Sequence, residues 1–297
     1  MVNRMSIHEI ENNPQLKGQV RLIDNVTYAA VDGRPLKMAL LEPWTQRFPL
    51  KYHPEPRPLI VFVQGSSWRV GKMGEEIPQL VRFVKAGYVV ATVQHRNTLD
   101  GYPFPAFLED VRTAIRYLRR RAIKFAIDPD RVAIWGTSSG ANAAMLVALT
   151  GDDPRYAGHL YRTESDRVNA VVSCFAPMDI EDTFDYTAAV PGSELLKFCL
   201  LGMDKQKWPT IEKEMSPLYQ VKSGQEYPPF LLLHGDADKV VPYHQMEDMY
   251  HKLDEEGYDV EAYRVKGANH EKDFWSDRVY QIVQDFLDRT VKWFDWD

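Results

Sequence analysis

Short, almost wholly apolar runs alternate with longer stretches of helical period along most of this chain. The runs 58–63 (PLIVFV), 88–94 (YVVATVQ), 131–135 (RVAIW), 168–175 (VNAVVSCF) and 229–233 (PFLLL) read as strands, flanked by further strands at 20–31, 36–42 and 258–265. Helical patterns fall between the later strands, at 75–86, 105–124, 139–149, 242–256 and 276–293. The helix after 242 carries Met246, Met249, Tyr250 and Leu253 at i, i+3, i+4 and i+7, and the last one carries Val279, Ile282, Val283 and Phe286 in the same pattern. Such stripes are core-facing helix surfaces. Strands apolar on both faces, alternating with helices, predict a mostly parallel sheet covered on both sides, with the first two strands as an antiparallel lead-in. The fold class expected is therefore α/β.

The alternation fails once, across about fifty residues between Phe175 and Pro229. A connection that long inside a compact domain has its own helices or covers a site. Residues 177–217 are expected to be a small helical insertion over the carboxyl ends of the strands, and 1–19 an N-terminal arm of one domain spanning 1–297. Aromatic residues in the insertion, Phe184, Tyr186, Phe198 and Trp208, would either anchor it or offer a surface to rings of a substrate.

Composition narrows the function classes. With 44% hydrophobic and 26% charged residues and a net charge of -6, the chain suits neither nucleic acid nor a membrane surface. Its densest basic run, RTAIRYLRRRAIK (112–124), has apolar residues at helical spacing, so the arginines are expected to form a solvated face. Two cysteines, Cys174 and Cys199, imply a reducing compartment and no disulfide framework. Without a leader-like apolar region in MVNRMSIHEIENNPQ, a cytoplasmic protein is the expectation. The oligomeric state stays open, a homo-oligomer included.

Candidate chemistry starts at AIWGTSSGANAAM (133–145). Ser138 has Gly136 and Gly140 at two residues on either side, whereas Ser139 has Thr137 and Ala141, so Ser138 alone fits G-x-S-x-G. In that motif a strand turns sharply into a helix and lifts the serine hydroxyl above the sheet, with glycines where a Cβ would meet backbone. Ser139 then offers its backbone N–H at the positive end of the helix. A serine nucleophile needs a base, and the base an orienting carboxylate, in the chain order Ser, acid, His. Beyond the strand at 229–233 stands HGDADKVVP with Asp236 and Asp238, and beyond the last strand stands His270. His234 competes as base, but it precedes the acid and reads as a buried histidine bonded to backbone. The other histidines show no metal-ligand spacing.

The segments VFVQGSSWRVG, FPAFLEDVRTAIRYL, DPDRVAIWG, GTSSG, HGDADKVVP and VKGANH, in that order, resemble the α/β-hydrolase fold. They are most similar to the serine esterase group that includes bifunctional feruloyl and acetylxylan esterases. The resemblance implies a triad of Ser138, Asp238 and His270, an oxyanion hole from Ser139 with Ser66 and Ser67, and substrate contacts at Gln64 and Trp68. It implies a carboxylic-ester hydrolase that needs no metal or cofactor and takes a small-molecule ester; serine side chains in the loop after the third strand, followed at once by Trp68, add bulk beside the acyl position, so a short, acetyl-like acyl group is expected, with an acylated carbohydrate as one candidate. A feruloyl or aryl esterase, a peptidase or amidase of the same fold, and a non-catalytic binding protein are the alternatives. Two departures matter. The oxyanion loop reads Gln64-Gly65-Ser66-Ser67-Trp68 where the group commonly has HGGGW, which leaves the donating amide open, since serine tolerates left-handed backbone at a cost of about 1–2 kcal/mol. Asn269 stands before the histidine where glycine is usual.

Overall fold

The computed structural model describes residues 7–14, 16–44 and 55–292, so part of the expected arm at 1–19 lies outside the described residues. An eight-stranded sheet runs in the order β1-β2-β4-β3-β5-β6-β7-β8. Its strands are β1 (Val20–Val31), β2 (Arg34–Pro43), β3 (Arg57–Val63), β4 (Val89–Val93), β5 (Ile127–Thr137), β6 (Ala170–Cys174), β7 (Phe230–Gly235) and β8 (Val260–Val265). β1 pairs antiparallel with β2, and β2 with β4; every pairing from β4 to β8 is parallel. This is the α/β-hydrolase fold with its antiparallel lead-in.

The helices are α1 (Ile77–Lys85), α2 (Ala106–Arg120), α3 (Ala122–Phe125), α4 (Ser139–Leu149), α5 (Ile180–Tyr186), α6 (Ser193–Leu201), α7 (Trp208–Met215), α8 (His244–Glu255) and α9 (Asp277–Leu287). The period-2 geometry of a strand sends alternate residues to opposite faces, and both faces of this sheet are covered. Leu59, Val61 and Val63 of β3 belong to one buried cluster with residues of α2, α4 and α8, while Ile60 and Phe62 belong to a second cluster, on the other face, with residues of α1 and α9. The stripes on α8 and α9 are core faces, with Met246, Met249, Leu253, Val279, Val283 and Phe286 buried. Among the described residues no helix is long and apolar enough to cross a membrane.

The basic run on α2 departs from expectation. Arg112 and Arg116 are buried, not solvated, because both reach the buried carboxylate of Asp166, and Arg112 also donates to the Thr150 carbonyl at the end of α4 (2.5 Å). Arg119 donates to the carbonyls of Pro129, Ser165 and Arg167. A buried guanidinium is tolerated only when paired in this way. Between β6 and β7 the chain forms α5, α6 and α7, so the long break in the alternation is a helical insertion.

Candidate functional site

Ser138 sits between β5 and α4 with φ 51° and ψ −126°, a conformation that L residues adopt only where the surroundings enforce it. The enforcement is visible. Its N–H donates to the Cys174 carbonyl (2.9 Å), and its carbonyl accepts from Ala141 and Asn142. A Cβ on Gly136 would run into the Gly140 carbonyl, and one on Gly140 into the Val63 carbonyl, so helix and strand meet as closely as the motif implies. Gly65 is held to the same standard from the other side, since a Cβ there would lie 2.8 Å from the Cβ of Ser138.

His270, in the loop after β8, places Nε2 2.9 Å from Ser138 Oγ and Nδ1 2.8 Å from Asp238 Oδ2. A carboxylate can only accept, so Nδ1 carries the proton and Nε2 of the neutral ring is free to accept from the serine hydroxyl. The Phe175 ring meets His270 edge-on at 4.7 Å and walls one side of it. Asp238 stands in the turn after β7, where its Oδ1 accepts from the N–H groups of Val240 (2.7 Å) and Val241 (2.9 Å). Burial by itself would raise this carboxyl, but the hydrogen bonds from His234 and His270, the nearby His270 charge and the Val241 N–H hold it well below the usual carboxylate range.

His234 is fully buried and bonded to backbone as expected, with Nε2 3.1 Å from the Val241 carbonyl. It also contacts Asp238 Oδ2 at 3.1 Å, a role the sequence reading missed. Both partners are acceptors, so Nε2 carries the proton, and Nδ1 has no hydrogen-bond partner among the described residues. Asp236 accepts from Gly267 N–H (2.5 Å) and Arg264 Nε (2.6 Å), bracing the turn. The Gly267 N–H first, and then Arg264, keep its carboxyl below the usual range. Asn269 joins the two loops, its Oδ1 accepting from the N–H of Lys239 (3.0 Å) and of His270 (2.8 Å).

The loop after β3 keeps a left-handed turn although it lacks the expected glycines: Ser67 has φ 51° and Trp68 φ 54°. Each costs on the order of 1–2 kcal/mol relative to an unstrained backbone. Ser67 and Ser139 line the cavity beside Ser138, and neither backbone N–H has an acceptor among the described residues. Ser66 is diverted: its N–H donates to Ser139 Oγ (3.0 Å) and its hydroxyl to the Arg69 carbonyl (2.6 Å). Gln64 does not line the cavity, because its amide turns to Glu75 (3.2 Å). Trp68 does line it, with Nε1 donating to Asn142 Oδ1 (3.3 Å) and its ring stacked on Phe184 (6.3 Å between centroids).

The cavity holds about 320 Å³ and is lined by Trp68 and Val241 together with Phe184, Val190, Leu195 and Leu196 of the insertion. Phe184 is buried in the core cluster and Trp208 packs against that cluster, so both anchor the insertion, within which Trp208 Nε1 donates to the Gly202 carbonyl (2.9 Å). Tyr186 and Phe198 stay exposed, and the Tyr186 hydroxyl donates to the Asp238 carbonyl (3.1 Å). Chemically, the arrangement offers a hydroxyl with a base within hydrogen-bond distance and an apolar recess alongside.

Several known proteins are similar. Esterase LipC of Mycobacterium tuberculosis is 29% identical over 216 residues, which is 72% of this chain and 52% of that protein. Esterase LipQ of the same organism is 28% identical over 240 residues, 77% of this chain and 55% of that protein. The chain thus spans about half the length of these relatives. Among solved structures, a truncated carbohydrate esterase from gut microbiota superposes with a TM-score of 0.77 at 24% identity, covering 95% of this chain and 100% of that one. A bifunctional GH43-CE protein of Bacteroides eggerthii superposes with a TM-score of 0.76 at 25% identity, covering 91% of this chain and 35% of that one. The BD-FAE family model matches residues 49–253, well over half of the chain, and the protein belongs to the BD-FAE family.

Proposed function

We propose that the protein is a serine carboxylesterase that works through an acyl-enzyme. Ser138 Oγ attacks the ester carbonyl carbon while His270 Nε2 takes its proton, and Asp238 holds the ring in the tautomer that allows this and stabilises the imidazolium. The negative charge on the carbonyl oxygen is received by the N–H groups of Ser139 and Ser67, the first at the positive end of α4. His270 then protonates the departing alcohol, and a water activated by the same nitrogen releases the acid. The observation that carries this reading is the continuous pair of bonds from Ser138 Oγ to His270 (2.9 Å) and from His270 to Asp238 (2.8 Å).

The same geometry supports an assignment of the substrate halves. The leaving alcohol must stay within reach of His270, which does not line the apolar cavity, so the cavity takes the acyl half. At about 320 Å³ it lies near the small end of ligand sites, and Ser67 and Trp68 add bulk on the side next to Ser138. We assign it a short, acetyl-to-butyryl acyl group, with Trp68 as the wall beside the carbonyl. The stacked rings of Trp68 and Phe184 favour a second reading, a planar aryl acyl group such as feruloyl. For the alcohol half we take an acylated carbohydrate as the candidate, which the carbohydrate esterase among the structural neighbours supports.

Fluorophosphonate labelling of wild type and Ser138→Ala tests the chemistry: labelling of wild type alone is expected, and equal labelling would overturn it. Comparing kcat/KM for acetyl, butyryl, octanoyl and feruloyl esters of one alcohol tests the acyl assignment. Misfit methylenes cost about 1–3 kcal/mol each in a confined pocket, so octanoyl should fall well over tenfold below butyryl. Octanoyl rates equal to butyryl would sink the short-acyl reading, and feruloyl rates above acetyl would replace it with the aryl one.

A further inference from the structure

The two residues that flank the nucleophile in G-T-S-S-G both carry hydroxyls, and both hydroxyls accept from the same loop. Thr137 Oγ1 takes the N–H of Gly65 at 2.8 Å, and Ser139 Oγ takes the N–H of the next residue, Ser66, at 3.0 Å. Consecutive amides of one loop are therefore bound by residues on either side of Ser138. Ser139 and Thr137 are both buried, so an amide that lost either partner would have little water to turn to.

We propose that Thr137 and Ser139 form a side-chain clamp that sets the position of the oxyanion loop relative to the nucleophile; both are positioning residues, and the proposal rests on the ester-hydrolase reading above. The clamp has two consequences. It uses the N–H groups of Gly65 and Ser66 internally, so the loop's donor to the oxyanion falls to the next residue, Ser67, which lines the cavity beside Ser138. It also ties that donor to the start of α4, the element that carries the other donor, Ser139 N–H. Two residues further along α4 from Gly140, Asn142 extends the hold: its Oδ1 accepts from Trp68 Nε1 (3.3 Å), and its Nδ2 donates to the carbonyls of Pro177 and Met215 (both 3.0 Å). One rigid helix end thus carries one donor and fixes the strained loop that carries the second, so their separation does not drift between turnovers. Preorganised donors of this kind act on the transition state and not on the bound ester.

The test uses the full chain and four variants: Thr137→Val, which removes the hydroxyl at constant shape, Thr137→Ser, which keeps it, Ser139→Ala, and the double variant T137V/S139A. Readouts are kcat and KM on p-nitrophenyl acetate, the inhibition constant of an aryl trifluoromethyl ketone, whose adduct places an oxyanion in the hole, and the melting temperature. Loss of one hydrogen bond that holds a donor should lower kcat about tenfold with KM within about twofold. The trifluoromethyl ketone should weaken by a similar factor, and Thr137→Ser should stay within about threefold of wild type. Both single variants at wild-type kcat, or losses that appear in KM or melting temperature with kcat and inhibitor affinity untouched, would overturn the clamp. If wild type neither turns over the ester nor labels at Ser138, the esterase reading fails first and the clamp with it.

Discussion

Replacing Asp238 with Asn separates the orienting role of this carboxylate from its structural one. Its two oxygens accept four hydrogen bonds, from Val240 N–H, Val241 N–H, His270 Nδ1 and His234 Nε2. An amide oxygen can keep the two backbone donors, which turns the NH₂ toward both imidazoles. His270 must then present a lone pair at Nδ1 and carry its proton on Nε2, where it can no longer accept from Ser138 at 2.9 Å. The wrong tautomer is worth about 10⁴ in kcat for a serine triad of this geometry. His234 keeps its Nε2 proton on the Val241 carbonyl (3.1 Å), so the new amide N–H turned toward it finds no acceptor there. A buried unpaired donor costs about 1–3 kcal/mol, several degrees of melting temperature in a chain of this size. Asp238→Asn should therefore fold, melt a few degrees early and lose about four orders of magnitude in kcat on p-nitrophenyl acetate, read alongside circular dichroism melts. Asp236→Asn is the matched control, since among the described residues the Asp236 carboxylate accepts from Gly267 and Arg264, and its kcat should stay within about threefold of wild type. If Asp238→Asn kept kcat within about tenfold, or if Asp236→Asn lost as much, the assignment of the acid would be wrong.

Two further outcomes follow from the same loops. Asn269→Ala removes the acceptor shared by Lys239 and His270 and should lower kcat about three- to tenfold, while Asn269→Asp, which keeps an acceptor, should lose less; equal losses in steady-state assays would argue against the bridge. The folded carboxyl of Asp238 titrates below its unfolded value of about 3.9, so its contribution to stability is complete above that pH and is lost as pH falls through the lower folded value. The melting-temperature gap between wild type and Asp238→Asn should accordingly narrow below about pH 4, and a gap that stays constant down to pH 2 would contradict this.

What could be read without the structure was local in sequence. Apolar runs bounded by turns placed the strands within a few residues, although β5 begins at Ile127 and not at Arg131, because a strand's polar end carries no periodic signal. The glycine spacing around Ser138 and the loops after β7 and β8 named the residues that the structure brings within hydrogen-bond distance, since each depends on a strand end and its turn. The length of the break after β6 announced the insertion. Tertiary structure decided what depends on pairs far apart along the chain. Arg112 and Arg116 look like a solvated face until Asp166, some fifty residues on, is brought against them. The hydroxyls of Thr137 and Ser139 acquire meaning only when the loop at Gly65 and Ser66, more than seventy residues earlier, is laid over them. The left-handed backbone at Ser67 and Trp68 and the contact of His234 with Asp238 belong to the same class. Propensity and periodicity report the preferences of a residue among its neighbours in sequence; a buried polar group instead takes whichever partner the packed core supplies, and that partner is set by the closing of the sheet and the seating of α4 against it.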